Sequence, residues 1–363
     1  MGSHKTIATR ISALLLCGCS LPALAQDVAP SGGIEEIVVT AERREANLQD
    51  TPLAVTALTA DALAASGVAV INDLAATVPN LTSTTGPQGS SDANFFVRGV
   101  GQFDFIITND PGVGLYVDGV YLGRTVGAML DSGDIERVEV LRGPQGTLFG
   151  RNTLGGAVNI VSRQPDPSEF SGSASATYGS RDRIDLTGSI NAPIGTDSAV
   201  RLSGFFREQD GFARNAVTGD RFGATDRYGG RAQVRFGLGE AVTIDLAADY
   251  SLDKSNPAPS VLRAIAPAPF FPPAAAADVQ DPDDFYTVYA SNSPFARNET
   301  YGFSGTVSID LGGATLKSIT AWRELDGFST SDPDGTRYKL YDQDVTTEQT
   351  QFSQEIQLAG EAF

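Results

Sequence analysis

Histidine and cysteine are almost missing from this chain of 363 residues. The single histidine is His4 and the two cysteines are Cys17 and Cys19, so all three lie close to the N-terminus. The rest of the chain therefore offers no disulfide, thiol nucleophile, Ser-His-Asp triad, zinc site or His-ligated haem. Carboxylate chemistry remains possible, but we predict no catalytic residue, no metal site and no cofactor.

Basic residues are also scarce relative to acidic ones. The chain has 26 Lys and Arg against 44 Asp and Glu, which gives a net charge of −18. A nucleic-acid partner requires a basic face, so this charge balance argues against one. Long apolar runs are missing as well, and the sequence predicts no transmembrane helix, which needs roughly 18 or more consecutive apolar residues.

The N-terminus has the pattern of an export signal. Lys5 and Arg10 give it a basic start, a short apolar run follows, and residues 23–25 read Ala-Leu-Ala, a small-x-small cleavage site. We therefore predict a signal peptide over residues 1–25. A short buried helix and lipidation at Cys19 are the alternatives.

From residue 169 onward, apolar and polar side chains alternate. In residues 242–252, for example, the apolar positions share one parity and most polar positions share the other, as in a strand with one apolar and one polar face. Eight segments show this period: 170–178, 183–191, 200–207, 228–238, 242–252, 301–311, 314–324 and 350–358.

Strand length and loop length favour a membrane barrel over a soluble β-sandwich. The segments run about ten residues, as a tilted bilayer crossing requires. Short turns at 192–197, 239–241 and 312–313 alternate with long loops at 209–227, 253–300 and 326–345. Outer-membrane barrels have this alternation of short periplasmic turns and long outer loops. The loop 253–300 is rich in proline, and we predict no strand in it.

The residues before the first segment are predicted to form a separate small α+β domain. Its strand candidates are 95–98, 115–120, 135–141 and 157–162, and short helices are expected after Thr59 and Asn72. Ahead of it, residues 26–44 form a leader. In this leader the β-prone segment 35–41 is expected to be exposed and free for strand addition to a partner, with an ordinary first strand as the alternative.

Several motifs together resemble the TonB-dependent outer-membrane receptors. Residues 36–41, Glu-Ile-Val-Val-Thr-Ala, resemble the TonB box of that family. Four further segments resemble the plug-domain signatures of the family: 96–99 (Phe-Val-Arg-Gly), 115–120, 135–144 and 146–160.

The resemblance implies an α+β plug domain, residues 45–165, followed by antiparallel transmembrane β-barrel strands in residues 166–363. The family barrel has about 22 strands, whereas the sequence shows about eight. Phe352 and Ile356 share one parity and Phe363 has the other. We therefore expect the sequence to stop inside a larger barrel.

The implied function is active import across the cell outer membrane, with no chemistry done on the cargo. The cargo is most often a ferric siderophore, and a carbohydrate or vitamin B12 is the alternative. The implied partners are TonB with its inner-membrane proton-driven complex, outer-membrane lipid, and an external ligand of the iron-chelate type.

The implied site residues fall into three groups. Arg98 and Arg142 would bridge the plug to glutamates of later strands that are absent here. Phe103, Phe105 and Asp110 are expected to contact the ligand at the outer face. The TonB-binding set is Glu36, Ile37, Val38, Val39, Thr40 and Ala41.

Three other functions fit parts of the sequence. An outer-membrane enzyme would use paired carboxylates such as Asp182 and Asp185. A passive pore would need neither a plug nor a TonB box. A signal-transducing receptor would carry an extra folded domain before the TonB box, where only a short leader stands.

Overall fold

The described part of the chain is built around two main β-sheets, one of five strands and one of eight. The computed structural model describes residues 37–44, 46–68, 70–85, 93–102, 109–125, 134–265, 271–281 and 283–360. The described residues all belong to one compact unit that begins at Ile37. The expected signal peptide, Glu36 and Phe363 lie outside the described residues. Among the helices described, none is long and apolar enough to cross a bilayer.

The N-terminal domain is a small mixed domain that ends at Ser162. Its strands are β1 (Val38–Val39), β2 (Ala46–Asn47), β3 (Val55–Thr59), β4 (Leu81–Thr84), β5 (Asn94–Val97), β6 (Val100–Gly101), β7 (Val113–Val117), β8 (Val120–Leu122), β9 (Ile135–Arg142) and β10 (Gly156–Ser162). Its helices are α1 (Ala60–Ala65), α2 (Gly146–Phe149) and a 3-10 helix (Ile71–Ala76). The main sheet has the order β3-β9-β10-β7-β8, with β10 and β7 parallel.

The core of this domain lies where α1 and the 3-10 helix cover the main sheet. Leu115, Val140 and Val158 from the three central strands are fully buried there. Helix α1 begins as predicted, because the Thr59 hydroxyl accepts the Ala62 N–H at 3.3 Å. The expected cap at Asn72 is wrong: the 3-10 helix begins at Ile71, and the Asp73 carboxylate accepts the Val70 N–H.

One predicted strand is broken by a turn. Asp118 and Gly119 both have positive φ, 50° and 82°, so the expected strand 115–120 is instead the hairpin β7–β8. The left-handed conformation that Asp and Gly adopt readily ends the ladder at this point. As described below, the turn also presents the Asp118 carboxylate to the second sheet.

The second sheet, here called the wall, contains all eight predicted long strands. They are β11 (Ser171–Gly179), β12 (Arg183–Pro193), β13 (Ser198–Gln209), β16 (Thr225–Leu238), β17 (Val242–Asp253), β19 (Phe295–Asp310), β20 (Ala314–Ser331) and β21 (Gln343–Gly360). Each pairs antiparallel with the next. The last three strands extend further than predicted at their long-loop ends.

The long loops contain secondary structure that the sequence analysis did not predict. Short strands β14 (Ala213–Asn215), β15 (Arg221–Phe222) and β18 (Thr287–Val288) form a three-stranded sheet across two loops. A 3-10 helix spans Pro273–Asp278. The expectation of no strand in 253–300 is therefore wrong. Proline restricts the regular structure to part of that loop. The strands there, residues 287–288 and the start of β19, contain no proline.

The wall has one apolar and one polar face. Large apolar side chains remain exposed on the face turned away from the N-terminal domain: Leu186, Ile190, Leu202, Tyr228, Phe236, Leu246, Tyr250, Phe303, Phe352, Ile356 and Leu358. Such a large exposed apolar surface requires a cover, and lipid is a cover that suits a sheet of long antiparallel strands.

The polar face of the wall holds the N-terminal domain. Contacts come from β13, β16, β20 and β21, so the wall follows the domain across most of its width. The linker 163–170 joins β10 to β11. It is fixed by the fully buried Asn191, whose amide donates to the carbonyls of Asp166 at 2.8 Å and Glu169 at 2.7 Å.

Candidate functional site: the N-terminal hairpin and the domain–wall contacts

The predicted partner-binding segment forms the first strand of a hairpin, here called the N-terminal hairpin (residues 37–48). Val38 pairs with Asn47 and Val39 with Ala46. Beyond β1, the Leu48 N–H donates to the Ile37 carbonyl at 2.9 Å. This two-stranded sheet is separate from the main sheet of the domain.

The expectation that this segment is exposed is wrong for Val39 and Ala41, which have no exposed surface. Val38, the first residue of β1, is 40% exposed. Strand alternation places Val39 and Ala41 on the domain, where they contact an apolar cluster that includes Tyr116 and Phe149. The burial of small and branched apolar side chains explains why the segment lies on the domain rather than in solvent.

Thr40 is held by a fully buried carboxylate, that of Glu139 on β9. Glu139 accepts the Thr40 N–H at 2.9 Å, and the Thr40 hydroxyl lies 3.1 Å from both carboxylate oxygens. The Asn159 amide donates to the same hydroxyl at 3.1 Å. Arg137 pairs with Glu139 at 2.8 Å and supplies the opposite charge that a buried carboxylate requires.

The sequence alone does not predict the role of Glu139, although it contains a signal. Arg137 and Glu139 are two residues apart on a strand and so lie on the same face of a mostly apolar segment. A charge of each sign at alternate positions of a buried strand indicates a paired polar site. Only the structure shows that Thr40 completes it.

Arg43, two residues after Ala41, also holds the N-terminal hairpin on the domain. Its guanidinium carbon lies 4.2 Å from the centre of the Phe149 ring and 5.0 Å from that of Tyr116. Its Nε donates to the Leu148 carbonyl at 3.1 Å, and its Nη2 lies 3.7 Å from Glu355 of the wall. Burial raises the pKa of Tyr116 to about 12, so this ring stays neutral beneath the cation.

In the ion pairs that join the N-terminal domain to β13 and β16, the acidic group lies on the domain and the arginine lies on the wall. Asp134 and Arg201 form a bidentate pair with 3% and 9% of their side chains exposed, and one of its two bonds measures 2.6 Å. Asp118 in the β7–β8 turn accepts Arg231 Nη2 at 2.6 Å. Its carboxylate also accepts the Ser162 N–H and hydroxyl.

The bridges expected for Arg98 and Arg142 have the opposite arrangement, with the arginine on the plug and the carboxylate on the wall. Arg98 is exposed in a turn with φ of 53°, and its Nη1 lies 3.5 Å from where a Cβ on Gly143 would stand. Arg142 is half-buried, and its buried Nε has no hydrogen-bond acceptor within the described ranges. Within those ranges, neither arginine forms an ion pair with a carboxylate.

The three predicted ligand contacts are described only in part. Phe103 and Phe105 lie outside the described residues. Asp110 is exposed, and its carboxylate lies 3.5 Å from Arg124 Nη1. The structure thus places one acidic group of the predicted set at the surface, next to a cation of the same domain.

The carboxylates considered for an enzyme do not form a free pair. Asp182 occupies a left-handed turn with φ of 51°. Asp185 accepts a hydrogen bond from Arg183 Nε at 2.9 Å, so its charge is balanced within β12. Asp185 therefore takes part in a structural ion pair with Arg183.

The long loops are joined to one another at the far end of the wall. Asp278, fully buried, accepts Arg337 Nε at 2.7 Å and Nη2 at 2.6 Å, which connects two loops. Asn215, also fully buried, donates to the Ala290 carbonyl at 3.0 Å. Carboxylate oxygens of Asp332, Asp334 and Asp342 lie within 4.8 Å of one another. Burial raises the pKa of Asp332, which accepts backbone N–H bonds.

Comparisons with known proteins point in one direction. Residues 47–157 match the family model described as the TonB-dependent receptor plug domain. The chain is 31% identical over 243 residues to the pesticin receptor of Yersinia pestis, a match that covers 62% of the chain and 33% of that receptor. It is 25% identical over 283 residues to the catecholate siderophore receptor Fiu of Escherichia coli K12, covering 76% of the chain and 35% of the receptor.

A solved structure shares the fold. The ferric yersiniabactin uptake receptor FyuA from Yersinia pestis superposes with a TM-score of 0.73 at 23% identity, over 86% of this chain and 46% of that one. The chain therefore spans about a third of the length of the curated relatives it matches and about half of that structure.

Proposed function

We propose that this chain, which belongs to the TonB-dependent receptors, supplies the plug and the first wall strands of an importer that is driven through TonB. The observation that carries the proposal is the N-terminal hairpin, whose first strand lies on a plug domain that faces a wall with an apolar outer surface. The match of residues 47–157 to the plug family supports it.

In this proposal, TonB binds Glu36, Ile37, Val38, Val39, Thr40 and Ala41 by strand addition. Val38 and Val39 already have strand geometry, and Val38 is exposed. Main-chain hydrogen bonds to TonB would then give affinity, and alternate side chains would give specificity. Because Val39 and Ala41 are buried on the plug, binding requires that the segment leave it.

The proposed cargo is a ferric siderophore, bound from outside near Asp110, Phe103 and Phe105. The names of Fiu, a catecholate siderophore receptor, and of FyuA, a ferric yersiniabactin uptake receptor, support an iron chelate. TonB-dependent uptake of a carbohydrate or vitamin B12, with no effect of iron chelates, would keep the import mechanism and replace the cargo.

The proposed location is the outer membrane, reached through a signal peptide over residues 1–25. The leader 26–44, the plug 45–165 and the wall 166–363 are the proposed divisions of the rest. Arg98 and Arg142 would pair with carboxylates of strands beyond those described, and the buried Nε of Arg142 is the observation that supports this pairing.

The proposal is tested with Ile37→Pro in the full-length receptor. Proline removes an N–H that the added strand needs and fixes φ. We expect uptake of a radiolabelled ferric siderophore to fall to the level of cells that lack TonB. Binding of the same siderophore to whole cells should stay unchanged, because residue 37 is not among the proposed ligand contacts.

The matched control is Ile37→Ala, which keeps the N–H and removes only side-chain atoms. It should retain most of the uptake. Full uptake by the proline variant would reject the TonB-binding assignment. Full uptake by the parent receptor in cells without TonB would reject energised import.

A further inference from the structure

A cavity of about 280 Å³ between the plug and the wall has a basic lining. Six cationic side chains but only three carboxylates line it, whereas the whole chain has 26 basic and 44 acidic residues. The cations come equally from both parts of the molecule: Arg43, Arg44 and Arg137 from the plug, and Arg231, Arg235 and Lys317 from the wall. The cavity is therefore a positively charged space inside an acidic protein.

Lys317 is the cation of this lining that has no counter-ion. Each arginine of the lining contacts a carboxylate: Arg231 with Asp118, Arg235 with Asp245, Arg137 with Glu136, Arg43 with Glu355 and Arg44 with Glu42. Lys317 is half-buried and forms no ion pair in the part of the chain that the structure describes. A half-buried ammonium attracts an anion more strongly than an exposed one does, because less water and salt screen its charge.

Two buried polar atoms of the lining also have no hydrogen-bond partner within the described ranges. Asn159 is 5% exposed, and its Nδ2 donates to the Thr40 hydroxyl and to Glu139, so that Oδ1 is the end without a donor. The Nε of Arg231 is buried without an acceptor. A ligand that satisfies both residues needs an oxygen that accepts and an O–H that donates.

The ligand that fits this lining is a compact oxyanion that carries a hydroxyl hydrogen. Sites for small molecules usually measure roughly 300–1,000 Å³, so this cavity takes a ligand from the small end of that range. Hydrogen phosphate and citrate both have charged oxygens for Lys317 and Arg231 and an O–H for Asn159.

We propose that this cavity is a binding site for such an oxyanion, in which Lys317 binds the charge and Asn159 Oδ1 accepts the hydroxyl. The site goes beyond the import function proposed above, because binding needs neither TonB nor cargo. Since the cations belong to both the plug and the wall, a bound anion joins the two parts. It should therefore stabilise the docked plug, as any ligand that binds only the folded state does.

The test is isothermal titration calorimetry of the full-length receptor in a non-ionic detergent at pH 7 and constant ionic strength. Sodium phosphate and sodium citrate are titrated separately, and we expect saturable binding of at least one, with the tighter ligand identifying the anion class. Lys317→Met removes the ammonium and keeps an unbranched side chain. It should weaken binding about tenfold, because a charge-assisted hydrogen bond is lost. Lys317→Arg should retain most of the affinity.

Two controls make the result specific. Lys254→Met removes the same charge from an exposed position outside the lining, so the affinity should stay at the parent value. Sulfate is the matched ligand, because it is a fully charged tetrahedral anion at pH 7 but has no O–H for Asn159. We expect sulfate to bind about tenfold more weakly than phosphate.

Absence of saturable binding of both phosphate and citrate to the parent receptor would overturn the site. Equal weakening by Lys254→Met and Lys317→Met would overturn its placement in the cavity, and sulfate binding as tight as phosphate binding would overturn the role of Asn159. Failure of the TonB-dependent uptake test would reject import alone, because the calorimetry contains no TonB.

Discussion

Arg201 shows what a single buried charge contributes to this molecule. It is 8% exposed, and its guanidinium meets the carboxylate of Asp134 from the plug in a bidentate contact. Ion pairs of this kind have a modest net value, because both charges lose their hydration. Removing one partner is costly, because it leaves the other charge buried and uncompensated.

We therefore predict that Arg201→Ala destabilises the docking of the plug on the wall by about 3–5 kcal/mol. Chemical denaturation of the full-length receptor, monitored at the plug, would measure the loss. Replacing both partners, Asp134→Leu with Arg201→Met, should recover much of the stability.

The matched control is Arg183→Ala. Arg183 also points from the wall, but it is 38% exposed and pairs with Asp185 on its own strand. Its loss should cost less than about 1 kcal/mol. A similar cost for Arg183→Ala and Arg201→Ala would contradict the argument from burial.

At the scale of the strand, side-chain alternation decides which residue meets lipid. Phe303 on β19 is 58% exposed on the outer face, whereas the adjacent Ser304 lines a polar cavity between the plug and the wall. Two neighbouring positions therefore have opposite surroundings, and the same substitution should have opposite consequences at them.

We predict that Phe303→Arg costs up to about 4 kcal/mol of folding into a bilayer, because it places a charge on the apolar face of the strand. Ser304→Arg should be close to neutral, because its side chain enters a polar space. Urea titration of the full-length receptor in lipid vesicles measures both. A neutral Phe303→Arg would mean that this face of β19 does not meet lipid.

The same alternation explains which elements were predictable. All eight wall strands follow from a period of two that persists over about ten residues, a local property of the sequence. The pattern does not predict the ends of β19, β20 and β21 next to the long loops. Charged and small residues there, such as Arg297 and Glu299, interrupt the apolar face. Their strand geometry comes from pairing with neighbours rather than from pattern.

The candidate site was predictable only in part. The β-prone segment 35–41 was recognisable from its residues, but its burial was not, because Glu139, Asn159 and Phe149 come from distant parts of the chain. Likewise, the sequence predicts Asp118 inside a strand. Its positive φ instead turns the carboxylate toward Arg231.

At the scale of the whole molecule, three wall hairpins share one folded cap at the long-loop end. Its sheet joins β14, β15 and β18 from two loops, and Arg337 from a third loop pairs with Asp278. Within the cap, the Ser293 hydroxyl lowers the pKa of Asp220, and the N–H of Tyr286 lowers that of Asp284.

The cap should therefore loosen in acid. A carboxyl whose pKa is lower in the folded state stabilises the fold above its unfolded pKa, about 3.9, and that contribution is lost as the pH falls through the folded value. The protection of the β14 and β18 amides against hydrogen exchange, corrected for the intrinsic pH dependence of exchange, should fall below about pH 4. Asp284→Asn should weaken this dependence, and protection that is insensitive to acid would contradict the assignment.

The linker 163–170 limits how far the last plug strand moves. Eight residues separate Ser162, where β10 ends, from Ser171, where β11 begins. The nine Cα–Cα steps between them span at most roughly 32 Å when fully stretched. Ser171 pairs with Asn191 beside the turn 192–197, so the linker leaves the wall at its short-turn end. As long as β11 stays in the wall, the last plug strand therefore remains tethered within that radius of the short turns.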